Sequence, residues 1–290
     1  MKEFFIKSNG KRINIITNDN DIDNPSNVII HIHGAGSHFQ HIMDTPNSIN
    51  YRMDIFSKKL NSVSYALEFS NHGKSNDFTT NNLGLVNDIN DLVNDLNMLL
   101  IHIKYNLPIF IIAESMGAGV CIKNAIINNP KINGYIFLAP LCGIADEIKP
   151  NIIMKNILIY GSYLYPSYIL SNNSAEKVCM YDKYNQNKIN CVYNTKDFKI
   201  ATGRECYNLS IWIENNCDKF NDNILIIQST NDKITCVNKT KDFFYSCSSI
   251  NKELFLLDEG NHTVLVPRYK NDYYPQIVYY KIINYINGLL

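Results

Sequence analysis

No run in this 290-residue chain approaches the roughly 18 consecutive apolar residues that a membrane span requires. From the first residues no secretory leader is expected. Phe4-Phe5-Ile6 and Ile13-Asn14-Ile15-Ile16 flank Ser8-Asn9-Gly10-Lys11, and this Asn-Gly hairpin turn cuts what would have to be an unbroken apolar core. Neither sign of charge is in excess, with 27 Lys plus Arg against 27 Asp plus Glu. No basic tract interleaves with aromatic residues, so nucleic-acid binding has no electrostatic footing. The eight cysteines (121, 142, 179, 191, 206, 217, 236 and 247) contain no C-x-x-C pair. In a chain of this size without a leader they read as reduced thiols. There are no internal repeats, and no low-complexity tract beyond a general excess of Asn. These absences leave a soluble, cytoplasmic globular protein as the expectation, of one large domain or a domain carrying an insertion.

What is present is an alternation of strands and helices. Val28-Ile29-Ile30-His31-Ile32 is a continuous apolar run, as expected of a strand buried on both faces, and it ends in His33-Gly34-Ala35-Gly36. A helix around 52–60 and a strand around 63–69 follow. Leu85, Ile89, Leu92, Val93, Leu96, Leu99, Leu100 and Ile103 then recur at three- and four-residue steps, an amphipathic helix that Pro108 stops. Next come a strand at 109–114, a helix from Met116 to Asn128 and a buried strand at 134–138. Short links between alternating elements predict a parallel sheet with helical crossovers on both faces, an α/β fold. The rhythm breaks between about Ala145 and Asp222. We read 145–222 as an inserted helical cap with a helix near 204–213, on a core formed by 1–144 and 223–290. Tyr160, Tyr163, Tyr165 and Tyr168 are expected to pack within this cap. Alternation resumes with Ile224–Ser229, a helix around 239–245, Glu253–Leu257 as a further buried strand, and a final helix over 272–286.

The chemistry centres on Ile109 to Val120: an apolar strand, a tight turn and a helix opening on small residues. Ala113-Glu114-Ser115-Met116-Gly117 puts a serine at the apex, the geometry of a nucleophile elbow. A serine nucleophile needs a general base, and that base an orienting carboxylate. With partners in the order Ser, Asp/Glu, His, only one of the seven histidines lies downstream, so His262 is the base. Asp232, just past the Ile224–Ser229 strand, is the expected carboxylate. Asp146, Asp182, Asp197, Asp218 and Asp222 fall in the cap or its exit, Asp242 on a helix, and Asp258 would have to fold back. The oxyanion requires two N–H donors; Met116 and Ala35 are placed to supply them, and Gly34 and Gly36 let the main chain approach the substrate closely.

Together these residues resemble the α/β-hydrolase superfamily, and within it the monoacylglycerol lipase and lysophospholipase-like branch, the serine aminopeptidase S33 or hydrolase-4 type. The resemblance rests on His33 to Gly36, Asn71-His72-Gly73-Lys74-Ser75, Ala113 to Gly119, Leu138 to Cys142, Thr230-Asn231-Asp232-Lys233 and Gly260-Asn261-His262. It implies Ser115, Asp232 and His262 as the catalytic triad and a cap that shapes an acyl-chain pocket. Three positions depart from the family pattern: Ala113 for the first elbow glycine, Asn71 for the glycine of G-H-G, and Glu68 where Asp is usual. The implied activity is hydrolysis of a monoacylglycerol, lysophospholipid or similar ester through an acyl-enzyme. The alternatives on the same fold are an amide or thioester hydrolase, an acyltransferase, or a non-catalytic binding member. No cofactor is expected, because the third glycine position of a dinucleotide fingerprint is Phe39. No metal is expected either: His31, His33, His38 and His41 read as satisfied structural histidines, and His72 as a loop brace. The expected partner is a small lipid or ester molecule, with transient contact between cap and membrane surface allowed.

Overall fold

The computed structural model describes residues 1–40, 46–172, 190–195 and 197–290; His41, Cys179 and Asp182 lie outside them. The chain opens on the hairpin β1 (Lys2–Ser8) and β2 (Lys11–Thr17). Its turn holds Asn9 at φ 46° and Gly10 at φ 77°, the two left-handed positions that a type I′ turn demands. Then come β3 (Asn27–Ile32), α1 (Ile49–Leu60), β4 (Ser62–Leu67), α2 (Ile89–His102), β5 (Ile109–Glu114), α3 (Met116–Asn128) and β6 (Gly134–Leu138). After an intervening segment, β9 (Ile224–Ser229), α6 (Val237–Ser246), β10 (Lys252–Leu257) and α7 (Tyr274–Asn287) complete the chain.

Eight strands form one sheet in the order β1-β2-β4-β3-β5-β6-β9-β10. Pairing is antiparallel for β1/β2 and β2/β4 and parallel for the remaining neighbours. Side chains alternate along each strand, so β5 sends Ile111 and Ala113 to one apolar cluster, shared with α2 and α3, and Phe110 and Ile112 to another, shared with α1 and α7. Helices therefore cover both faces, which is why β3, β4, β6 and β9 are buried along their whole length. β10 departs from expectation. It is the edge strand, and only Leu257 is fully buried in it.

The amphipathic stretch also begins later than its spacing suggests. Leu85 and Val86 are buried but precede α2, because the Asp88 carboxylate accepts from Asn90 N–H at 2.8 Å and starts the helix there. The helix ends at His102, before Pro108 is reached.

Between β6 and β9 lie α4 (Ile152–Asn156), running on through a π turn (Ile157–Gly161) and Ser162–Leu164, a two-stranded ribbon of β7 (Ile169–Asn172) and β8 (Asp197–Lys199), and α5 (Ile200–Glu214). This stretch is tied to the elements before it by buried polar contacts. The Glu205 carboxylate accepts from Ile89 N–H at 2.8 Å, at the start of α2. Arg204 pairs with Glu205 at 2.9 Å and donates to Ser162 Oγ and Asn87 O. The Thr202 hydroxyl bridges Gly84 O and Val86 N–H. The tyrosines do not pack inside this segment as expected. Tyr160, Tyr163, Tyr165 and Tyr168 are all exposed, whereas Leu158 of the same segment is buried. No helix among the described residues is long and apolar enough to cross a membrane.

Candidate active site

Strand order reverses between β3 and β5: β4 lies on one side of β3, while the chain continues on the other side through β5 and β6. Loops leaving the carboxyl ends of β3 and β5 diverge there and leave a crevice. The His33–Gly36 loop leaves β3 at this point, and Ser115 leaves β5.

Ser115 sits between β5 and α3 at φ 52°, ψ −119°, a conformation that costs an L-residue about 1–3 kcal/mol. Its neighbours over-determine it: Ser115 N–H donates to Leu138 O and Leu141 N–H to Ser115 O, each at 3.0 Å. Gly117 is required by close approach, since a Cβ there would lie 2.4 Å from His33 O. A Cβ on Gly34 would meet Ser115 Cβ at 3.0 Å. Ala113, in place of the elbow glycine, is fully buried and keeps its pairing with Ile32 and Phe137. Asn71 takes φ 62°, the left-handed geometry that its type tolerates best after glycine.

Asp232 and His262 meet across the carboxyl ends of β9 and β10. Asp232 Oδ2 accepts from His262 Nδ1 at 2.8 Å, with the carboxylate side chain wholly buried. The same oxygen accepts from the Thr235 hydroxyl at 2.7 Å and Gln228 Nε2 at 3.3 Å, while Oδ1 takes Ile234 N–H at 2.8 Å and Thr235 N–H at 3.0 Å. Burial pushes this carboxyl up, but the His262 imidazole and these donors outweigh it and hold it below the usual range. An acceptor at Nδ1 puts the imidazole proton on that nitrogen and leaves a lone pair on Nε2. Thr235 and Gln228 were not singled out from the sequence; a Thr three residues beyond Asp232 is the one local signal that points to a braced carboxylate.

Ser115 and His262 both line a cavity of about 440 Å³, as do Gly34, Ala35 and Met116. Gly36 is not among its lining residues; it turns the loop at φ 64°. The N–H groups of Ala35 and Met116 have no acceptor among the described residues, and Met116 is the first residue of α3, where a helix leaves its donors unpaired. Much of the lining is apolar, and the stretch between β6 and β9 contributes Met154, Leu158, Leu170, Phe198 and Cys206 to it. Glu114, beside Ser115, lines the cavity and is ion-paired with the buried Arg52 of α1. Neither residue was anticipated as part of the site.

His31, His33, His38 and His72 are buried, and burial lowers the pKa of His31, His33 and His72. Burial, with His72 nearby, holds His33 to about 3 despite its bond to Gly34 O. Burial holds His72 to about 4, opposed by its bond to Ser70 O and helped by Lys199. His31 corrects the expectation of satisfied histidines: neither of its ring nitrogens has a hydrogen-bond partner, and the ring lies against Phe56 in the apolar layer under α1. Among the described residues, no three His, Cys, Asp or Glu side chains gather as metal ligands would. The seven described cysteines are free thiols, with burial pushing Cys206 up to about 12.

Comparison with known proteins agrees with this architecture. Residues 23–267 match the model of the "Serine aminopeptidase, S33" family. A candidate monoglyceride lipase of Schizosaccharomyces pombe is 20% identical over 239 residues, which are 79% of this chain; the chain spans 60% of the length of that relative. Among solved structures, a soluble variant of monoglyceride lipase from Saccharomyces cerevisiae, in complex with a substrate analog, superposes with a TM-score of 0.82 at 17% identity, covering 99% of this chain and 95% of that one. A Paleococcus ferrophilus monoacylglycerol lipase gives 0.77 at 13% identity with complete coverage of both chains. A thermostable carboxyl esterase from Bacillus coagulans, in complex with glycerol, gives 0.74 at 18% identity over 99% and 98%. At these identities the superpositions show the α/β-hydrolase fold.

Proposed function

The chain belongs to the serine aminopeptidase S33 family, and from that premise we propose that it is a serine hydrolase of lipid-like carboxylic esters. The observation that carries the reading is the Asp232–His262 pair at 2.8 Å, facing the same apolar cavity as the strained Ser115. In this reading His262 Nε2 takes the Ser115 hydroxyl proton as Oγ attacks the ester carbonyl. The Ala35 and Met116 N–H groups hold the oxyanion. His262 then gives its proton to the departing alkoxide, leaving an acyl-enzyme. Water, deprotonated by the same nitrogen, releases the carboxylic acid and restores Ser115. Asp232 fixes the imidazole's tautomer throughout.

The preference for a lipid-like acyl group is supported by the wall of Met154, Leu158, Leu170 and Phe198, and by monoglyceride lipases among the similar proteins. Residues 145–222 act in this reading as a cap on the core of 1–144 and 223–290. Its outer side carries Ile152, Ile153, Tyr160, Leu164, Tyr165 and Tyr168, all more exposed than buried. Apolar bodies with hydroxyl tips suit the boundary between lipid tails and head groups, so the cap rests on the surface from which the substrate is drawn. Purified Ser115→Ala tests the chemistry: hydrolysis of p-nitrophenyl butyrate is expected to fall by roughly 10⁴–10⁶, and a variant with the wild-type rate sinks the reading. A panel of matched ester, thioester and amide substrates, with a chain-length series of monoacylglycerols, assigns the substrate class.

A further inference from the structure

The oxyanion reading above rests on one short loop, and the structure shows what holds that loop in place. Residues 33–40 carry the Ala35 N–H, and two adjacent residues beyond β4 pin them. At one end Phe69 N–H donates to His33 Nε2 at 3.1 Å, which puts the ring proton on Nδ1, and Nδ1 donates to Gly34 O at 2.8 Å. That bond sets the orientation of the Gly34–Ala35 peptide. At the other end Glu68 Oε1 accepts from Phe39 N–H at 2.9 Å, and Oε2 from Gln40 Nε2 at 3.2 Å. Between them, Ser37 N–H closes a turn on Gly34 O.

Glu68 is an unusual residue to find there. It is fully buried, and its four partners are all neutral: Phe39, Gln40, Asn14 Nδ2 at 2.9 Å and Lys74 N–H at 2.9 Å. Every one is a donor, so only the ionised carboxylate satisfies them all. Burial pushes the Glu68 carboxyl up from its ordinary value, and the four donors only partly offset this. A neutral side chain at this place would avoid that cost of desolvation. The surroundings are built to admit the charge: Gly73 stands at φ 51°, and a Cβ there would lie 2.3 Å from the Glu68 carboxyl carbon.

We propose that Glu68 is a positioning residue for catalysis, its buried carboxylate clamping the 34–40 loop so that the Ala35 N–H is aimed at the oxyanion. The proposal rests on the active-site reading above. It ties three separate chain segments, β2 through Asn14, the 72–75 turn through Lys74 and the oxyanion loop through Phe39, to one anion. An oxyanion donor displaced by about 1 Å costs roughly ten- to a hundredfold in rate, less than its outright removal.

The test uses purified Glu68→Gln and Glu68→Asp. The first keeps the shape but aims an NH₂ at a backbone donor; the second keeps the charge but draws it away from Phe39 N–H. Each is assayed with p-nitrophenyl butyrate and titrated with n-butylboronic acid, whose tetrahedral adduct on Ser115 needs the Ala35 N–H. Circular dichroism and urea unfolding report the fold. In both variants kcat is expected to fall by roughly ten- to a hundredfold, KM to stay within about threefold, and boronate affinity to weaken in step with kcat. A carboxylate with only a structural role would lower the unfolding midpoint and leave kcat and boronate affinity of the folded protein unchanged. That result overturns the proposal. If the Gln variant does not fold, the Asp variant decides alone. A wild-type protein that neither hydrolyses the ester nor binds the boronate overturns the proposed function itself, and this role with it.

Discussion

Replacing Asp232 by Asn changes one atom and preserves the shape of the site. In the native chain Oδ1 accepts from two backbone donors, Ile234 N–H and Thr235 N–H, and Oδ2 from the Thr235 hydroxyl and His262 Nδ1. Asparagine has one acceptor oxygen, which must serve one side or the other. The backbone donors cannot turn, so the carbonyl stays with them and the NH₂ takes the place of Oδ2, 2.8 Å from His262 Nδ1. The Thr235 hydroxyl can rotate toward Ala139 O, 3.3 Å away. The imidazole has no such choice. Facing a donor, it keeps a lone pair on Nδ1 and carries its proton on Nε2, where it cannot take one from Ser115. A base locked in the wrong tautomer loses about 10⁴ in kcat, roughly 5.5 kcal/mol at about 1.36 kcal/mol per factor of ten. KM, set by the apolar cavity, is expected to stay within about threefold. Steady-state hydrolysis of p-nitrophenyl butyrate at neutral pH reads the effect, with circular dichroism to show that the variant is folded. Asp258→Asn, altering the exposed aspartate nearest His262 in sequence, is the control and should leave kcat unchanged. A folded Asp232→Asn with kcat within about tenfold of wild type refutes the assignment.

Three further outcomes follow from packing and charge. Gly117→Ala drives a Cβ into His33 O and Ile32 Cγ2, at 2.4 and 2.7 Å. Because backbone must move, about 1–3 kcal/mol should be lost in urea unfolding, with kcat falling too; an unchanged midpoint would contradict the close approach. His72 is held to about 4 by burial, against 6.5 when unfolded. The unfolded chain therefore takes up a proton that the folded one refuses, and stability is complete above pH 6.5 and is lost as pH falls toward 4. Between pH 7 and 5 this amounts to about 2 kcal/mol, so His72→Gln should reduce the acid sensitivity of unfolding by that amount. Glu68, whose carboxyl is raised, works in the opposite sense in both proteins and cancels in the comparison. Equal pH dependence in the two proteins would rule the argument out. Leu158→Trp adds bulk to the apolar lining of the cavity that Ser115 also lines and should move the preferred acyl chain shorter, cutting kcat/KM for long chains by roughly tenfold or more while sparing butyrate. A parallel loss across the series would mean that the chain does not lie along this wall.

The order of elements was legible in the sequence because it depends on neighbours. Continuous apolar runs specify β3 to β6 and β9, the three- and four-residue spacing specifies α2, and the Asn9-Gly10 pair specifies the hairpin. The elbow at Ser115 is legible as a short pattern, although its glycines answer to distant neighbours: a Cβ on Gly117 would lie 2.4 Å from His33 O and one on Gly119 2.8 Å from Leu209 Cδ2. The pairing of one downstream histidine with an aspartate at a strand end followed from chain order, and the structure brings those two side chains within hydrogen-bond reach. What neighbours do not encode is which distant groups share a dielectric. Glu68 reads only as a departure from the family's usual Asp until Asn14, Phe39, Gln40 and Lys74 close over it. His31 reads as a satisfied histidine until β3 is buried under α1. Tyr160, Tyr163, Tyr165 and Tyr168 read as packing residues, yet the fold leaves all four exposed and turns Leu158 inward. In each case sequence decides the residue's own conformation, and the tertiary fold decides whether water reaches it. Desolvation then determines charge, tautomer and cost, and so what the residue can do.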